Sequence, residues 1–390
     1  MYDFDTIIPR RGTGAVKWDA HPHFDADTED MIPLWVADMD FKAAPFIIDA
    51  LRRRVEHGVF GYVTVPDSTG EAVVSWFSRK HGWSIEKDWI IYTTGVVPAL
   101  SAAVKALSEP GDKVIIQSPV YNCFFSSVRN NGCEILDVPL LYGEGTYRFD
   151  FEGLERACAD PKAKLMLLCN PHNPAGRVWT REELARVGDI ARRHGVTVIS
   201  DEIHCEIVMP GYEYTPFASV SPENQACCVS LCSPSKSFNI AGLHLACFVT
   251  PDEGWRSRID RAINVNEICD VNPFGVVALE AAYSPEGEQW LKELNQYIYD
   301  NYLLLKQVLK DYPVCKLEGT YLPWVDVSSL GIPSEKIEET LLRDYKVWVN
   351  AGTMYGTEGF IRINLATPRA LLAEGLERVA RGLAALSAKN

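Results

Sequence analysis

The sequence has no apolar run near the roughly 18 to 20 residues that a membrane-spanning helix needs. Positive charge is scarce: 38 Lys and Arg stand against 52 Asp and Glu, a formal charge of −14. Such a surface repels a phosphate backbone, so nucleic acid is not expected as a direct ligand. The opening "MYDFDTIIPRRGTG" lacks the basic head and apolar stretch of a secretory signal, and a cytoplasmic location is the expectation. No C-x-x-C pair occurs among the 11 cysteines, which sit in apolar segments such as "LMLLCNP", "ACCVSLC" and "HLACFV". Buried free thiols are expected there, not disulfides or a zinc site. The eight histidines show no H-E-x-x-H spacing. His21 and His23, two apart in a polar loop, do not make a metal site, and no metal is expected. Dinucleotide (G-x-G-x-x-G), P-loop (G-x-x-x-x-G-K-[ST]) and nucleophile-elbow (G-x-S-x-G) fingerprints are all missing. There are no internal repeats, low-complexity tracts or long linkers.

What is present is an ordinary globular composition, 47% hydrophobic and 23% charged, over 390 residues. That length suggests two domains. Short apolar runs alternate with helical patterns through the middle: "DWIIYTTG", "KVIIQSPVY", "CEILDVPL", "KLMLLCNPHNP", "VTVISDEIH" and "ACCVSLCSPSKS". Continuous apolar strands between helices predict a doubly wound, mostly parallel sheet in an α/β domain over residues 47–285. "TREELARVGDIARRHG" carries a cap, early acids and late bases, a complete helix signature. The helix in "VVPALSAAVKALSEPGD" is expected to end at Gly111. From residue 286 a long helical stretch leads into short strands and a final helix. Residues 286–390, joined by 1–46, are expected to form a smaller α+β domain.

The polar residues that punctuate these runs fall at the ends of the inferred parallel strands, where doubly wound sheets bind ligands. "YTTGVVPAL" opens a helix at Gly95, leaving the N–H groups of Gly95, Val96 and Val97 free to seat a phosphate. "VISDEIH" ends on Asp201, Glu202 and His204; alone, such acids are more often caps than catalysts. "CNPHNPAG" supplies Asn170 and Asn173 in what could be only a rigid turn. "SPSKSFNIAGL" places Lys236 against an apolar strand, an unusual position for an ammonium group. An amine for a Schiff base, a carboxylate for a pyridinium nitrogen and an anion cradle together suit one cofactor, pyridoxal 5′-phosphate (PLP). Lys236 supplies the amine, and burial lowers its proton affinity toward neutral pH. Asp201 suits the ring nitrogen, and Asn173 can donate to the phenolate oxygen.

With these motifs in order, together with "SPVYNCF" and "GFIRINLATPR", the chain resembles fold-type I PLP-dependent enzymes, the aminotransferase-like superfamily. "VADMDF" (36–41), "FGYVTVPDS" (60–68), "MPGYE" (209–213) and "EGTYLPWVD" (318–326) are similar to the cystathionine β-lyase and cystalysin subgroup of C–S lyases. The resemblance covers essentially the whole chain. It implies that Lys236 holds the cofactor, Tyr121 stacks on one face of its ring and Ile203 packs the other. It also implies that Ser233 and Ser235 join Val96 and Val97 at the phosphate. Tyr62 would reach that phosphate from a neighbouring subunit, making a homodimer with shared sites. Arg362 would clamp the substrate carboxylate, with Asn364, Ala37 and Tyr62 also at the substrate.

Many aminotransferases carry an arginine eight residues after the Schiff-base lysine; here that position is His244. The difference favours the lyase subgroup and puts more of the phosphate binding on Tyr62. The expected reaction is β-elimination from L-cystathionine, L-cysteine or related S-substituted cysteines, giving a thiol, pyruvate and ammonia. An aminotransferase of aromatic or aliphatic amino acids is the competing expectation. From another class comes a regulatory protein that binds a transcription activator, as one member of the subgroup does.

Overall fold

Apolar β-branched runs are stable as strands only where helices shield both faces, and the middle of the chain is built this way. The structure, a computed structural model, describes residues 2–22, 26–265 and 270–388. Its main sheet contains β1 (Ile90–Thr93), β2 (Lys113–Ile116), β3 (Glu134–Asp137), β4 (Ala163–Cys169), β5 (Thr197–Asp201), β6 (Cys228–Cys232) and β7 (Ala246–Val249). The spatial order is β1-β7-β6-β5-β4-β2-β3. Only β7 runs antiparallel to its neighbours, so the sheet is the mostly parallel one expected. Along β4, Leu165 and Leu167 face one core and Met166 and Leu168 the other, which is why the strand reads as a continuous apolar run.

Strand register sets the height at which each motif leaves the sheet. Cys169 pairs with Asp201, and Asp201 pairs with Leu231, so β4, β5 and β6 finish level with one another. Their continuations, Asn170–Asn173, Glu202–His204 and Ser233–Lys236, therefore emerge on one edge. A second sheet joins β8 (Trp324–Asp326), β9 (Asn350–Ala351) and β10 (Phe360–Arg362). It brings Arg362 opposite both Trp324 and Asn350. The short strand Ile32–Pro33 pairs in parallel with Val347–Trp348, tying the N-terminal segment to the C-terminal part of the chain.

The helix Arg181–Arg193 starts with a complete capping box: Thr180 accepts from the Glu183 N–H while the Glu183 carboxylate accepts from the Thr180 N–H. The helix over Val96–Leu107 stops earlier than expected, at Ser108 rather than Gly111. Ser108 turns its hydroxyl back onto the Val104 carbonyl at 2.6 Å, and Pro110 has no N–H to continue the ladder. Gly111 instead takes a left-handed conformation in the turn that feeds β2. The cysteines among the described residues are free thiols. Among those residues no helix is long and apolar enough to cross a membrane, and no cluster of His, Cys, Asp and Glu could hold a metal ion. His23 lies outside the described residues.

Candidate active site

A cavity of about 260 Å³ opens where the parallel strands end. From β1 come Thr94 and Gly95, followed by the first turn of the helix Val96–Leu107. Gly95 is extended, not left-handed, and its side-chain-free Cα leaves the mouth of the helix open. The N–H groups of that first turn have no intrahelical partners and point at the cavity with the positive end of the helix dipole. Tyr121 enters after β2 as the N-cap of the helix Asn122–Asn130. Asn173 follows β4, Asp201 ends β5, and Ile203 and His204 lie just beyond it. Ser235 and Lys236 follow β6, and Ala37 closes the cavity from the N-terminal segment.

Two opposite charges meet here with few partners. The Lys236 Nζ donates to the Ala37 carbonyl at 2.6 Å. Burial pulls its pKa below the ordinary lysine value, the nearby Asp38 opposes that fall, and Arg362 adds to it. Asp201 is 4% exposed and accepts a hydrogen bond from its own segment, the Ile203 N–H at 3.2 Å. Burial, assisted by the neighbouring Glu202, pushes its pKa up to about 7. A carboxylate in this state gains most from a cation placed against it. Tyr121 is likewise held protonated by burial, with its hydroxyl against the Cys123 thiol.

Arg362 is the second buried cation. It is 3% exposed, donating through Nη1 to Asn173 Oδ1 at 3.1 Å and through Nη2 to the Trp35 carbonyl at 2.9 Å. Its Nε is buried with no partner, and its guanidinium lies over the Tyr355 ring at 4.6 Å. Among the described residues no carboxylate neutralises it, so an incoming anion would meet a desolvated, oriented fork. Because Asn173 gives its oxygen to Arg362, its amide N–H₂ remains available to the cavity.

Of the residues singled out in the sequence, Gly95, Val96, Val97, Tyr121, Asn173, Asp201, Ile203, Ser235, Lys236 and Ala37 line this one cavity. Arg362 reaches it through Asn173. Three others are placed differently. Ser233 is turned inward: its hydroxyl donates to the Leu245 carbonyl at 2.7 Å and accepts the Ser235 N–H at 3.1 Å, so it braces the loop instead of lining the cavity. Asn364 spends its amide on the Val36 and Asp38 carbonyls at 2.6 and 2.7 Å, holding the segment that carries Ala37. Tyr62 is 98% exposed and outside the cavity.

His204, present in "SDEIH" but given no role, also lines the cavity. Its Nδ1 is buried without a partner, and burial pulls its pKa down to about 3, so it is neutral. His244 lines the same wall in a left-handed conformation. Cys123 is the residue least visible in the sequence. Among so many structural cysteines, nothing set it apart until folding brought it against Tyr121.

The whole chain can be compared with known proteins on this footing. It is 42% identical to cystathionine β-lyase PatB of Bacillus subtilis (strain 168) over 387 residues, covering 98% of this chain and 100% of that protein. The structure of cystalysin from Treponema denticola, which contains a pyridoxal 5′-phosphate cofactor, superposes with a TM-score of 0.94 at 35% identity. That match covers 99% of this chain and 100% of the other. The PLP-bound C–S lyase of Staphylococcus hominis gives a TM-score of 0.90 at 33% identity, with 98% of each chain covered. Residues 29–379 match the aminotransferase class I and II family, and with the sheet order and the cavity at its strand ends, the chain belongs to that family.

Proposed function

We propose that this chain is a PLP-dependent carbon–sulfur β-lyase that cleaves L-cystathionine and related S-substituted cysteines. The observation that carries the cofactor is the meeting, in one cavity, of the Lys236 amine with a buried carboxylate, Asp201, that makes no ion pair among the described residues. A pyridinium nitrogen supplies that missing cation, and the free N–H groups after Gly95 supply an anion seat. The residues present thus fit the cofactor. Full-length likeness to lyases carries the choice of reaction.

Bound PLP supplies an electron-poor ring that accepts the electron pair left at the substrate Cα. The chain's residues do the rest. Asp201 would keep the ring nitrogen positive, Asn173 would donate to the phenolate oxygen, and Tyr121 and Ile203 would cover the ring. Val96, Val97 and Ser235 would hold the phosphate. Arg362 would bind the substrate carboxylate and so orient the Cα toward the Lys236 amine. The Lys236 amine, its proton affinity already lowered, takes the Cα proton. The C–S bond then breaks and the sulfur leaves as a thiolate that recovers a proton. For L-cystathionine and one water, the balance is homocysteine, pyruvate and ammonia. L-cysteine would give hydrogen sulfide by the same route.

Tyr62 lies in an irregular stretch, residues 58–66, beside exposed Val59 and Phe60. We propose that a second copy of the chain covers this stretch and that Tyr62 completes the neighbour's phosphate site. The substrate class is tested by offering L-cystathionine and L-alanine to PLP-loaded protein. Elimination consumes only the first. Equal processing of both, dependent on a keto acid, would mark an aminotransferase.

A further inference from the structure

Residues 35–41 cross the cavity without regular secondary structure, yet side chains from several parts of the chain hold them. Arg362 and Asn350 donate to the Trp35 carbonyl, Asn364 to Val36 and Asp38, and Asn239 to Met39 and Phe41. Lys236 donates to Ala37 from the cavity side. Asp38 and Asp40 of this strap enter an ion cluster that is buried at Lys17 and Asp40 and half-buried at Arg10 and Asp38. Lys17 is 0% exposed, with Nζ 2.7 Å from Asp40 Oδ2 and 2.8 Å from the Asp38 carbonyl. Arg10 bridges Asp40 Oδ1 at 2.8 Å, Asp38 Oδ2 at 2.6 Å and the Met39 carbonyl at 3.0 Å. The Trp18 indole N–H is the third donor to the Asp40 carboxylate, at 2.8 Å from Oδ1.

Two cations and two carboxylates cancel, so the cluster has no net charge. Buried pairs of this kind add little net stability over apolar packing, but they fix geometry, because every member must be matched. What they fix here is the strap at Asp38–Asp40, immediately after the carbonyl that receives Lys236.

We propose that the Arg10–Lys17–Asp38–Asp40 cluster is a positioning device for the reactive lysine: it holds the strap so that the Ala37 carbonyl catches and aims the Lys236 amine. The amine needs such an acceptor whenever the cofactor has been handed to a substrate. At that point it must wait within reach of the Cα proton without drifting away. The titratable or charged groups acting on Lys236 are Asp38, Asp201, Arg362 and Cys123, with His204 also within electrostatic range. Lys17 and Asp40 bond the strap and not Lys236, so their influence passes through the strap. The inference rests on Lys236 being the cofactor amine and is indifferent to which amino acid is processed.

The test uses Lys17→Met and Asp40→Asn, which unbalance the cluster with opposite signs. Positioning predicts that both lower kcat in the same direction, by about 10-fold, with KM changed less than about 3-fold, since small misplacements of a reacting group are costly. A second readout needs no turnover: the pH dependence of Lys236 acylation in cofactor-free protein, followed by peptide mass spectrometry. Both variants should move its midpoint downward, because the ammonium form loses its carbonyl acceptor. Midpoints that move in opposite directions with kcat intact would show a simple charge effect and overturn the proposal, as would no change in either readout. If a buried variant does not fold, Trp18→Phe, which removes only the indole donor, is read instead, with a smaller kcat loss of about 3-fold expected. An unchanged kcat in that variant counts against the proposal. Wild-type protein whose PLP absorbance disappears in Lys236→Ala establishes the underlying reading separately, so the two failures are distinguishable.

Discussion

Two segments matching the same enzyme subgroup in sequence have opposite fates in the fold. The strap at 35–41 is caught at nearly every carbonyl by buried side chains. The stretch 59–65 makes no hydrogen bond to the described residues; its ties are ring contacts of Phe60 with Phe274 and Arg54. Backbone polar groups need partners wherever water is excluded. The strap is therefore finished within one chain, whereas the Tyr62 stretch is left to solvent or to another molecule. A site assembled from both kinds of segment should respond differently when each is disturbed.

The largest effects belong to the finished half. Lys236→Ala should abolish the visible cofactor absorbance and lower turnover by about 10⁴-fold or more, the scale of a lost covalent anchor and general base. An unchanged spectrum would remove Lys236 from the assignment. Asp201→Asn should follow, with kcat down about 10²- to 10³-fold, because the neutral amide cannot hold a pyridinium charge. The same residue yields a pH test. Asp201 titrates near 7 in the folded cofactor-free protein against 3.8 ordinarily, so the fold binds its proton more tightly than the unfolded chain does. Its contribution to stability is complete below pH 4 and lost as pH rises through about 7. Cofactor binding removes that loss by supplying a cation. Thermal stabilisation by PLP should therefore grow between about pH 4 and 7, by at most about 4 kcal/mol. A flat profile would contradict the assignment.

Smaller effects follow toward the open half. Arg362→Lys keeps the charge but loses the fork, and KM should rise about 10²-fold with little change in cofactor absorbance. Tyr62→Phe should weaken PLP retention by about 10-fold, the scale of one lost hydrogen bond to a charged group. The unfolding temperature of the cofactor-free chain should not change, since the hydroxyl touches nothing within it. A change in that temperature, with PLP affinity intact, would place Tyr62 inside its own subunit's structure.

The comparison also shows what could be read before folding. Lys236, Asp201 and Asn173 are legible because each ends or closely follows an apolar strand, and strand ends share an edge. The sheet itself was legible from runs such as "LMLLC". The Ser233 bond to the Leu245 carbonyl is not legible in the sequence, because it depends on how β6 pairs with β7, which local sequence does not specify. The Asn364 bonds to the Val36 and Asp38 carbonyls are equally hidden, because those partners lie more than 320 residues away. The ion cluster at the strap was invisible for the same reason. Lys17 and Arg10 look like ordinary charged residues in a polar N-terminal segment until Asp40 is brought beneath them.

The most direct measurement is the product ratio from L-cystathionine with PLP-loaded protein and no keto acid present. A lyase built on this cavity gives free thiol and pyruvate in equal amounts over many turnovers. Neither product without an acceptor, and amino transfer once a keto acid is added, would contradict the C–S lyase proposal.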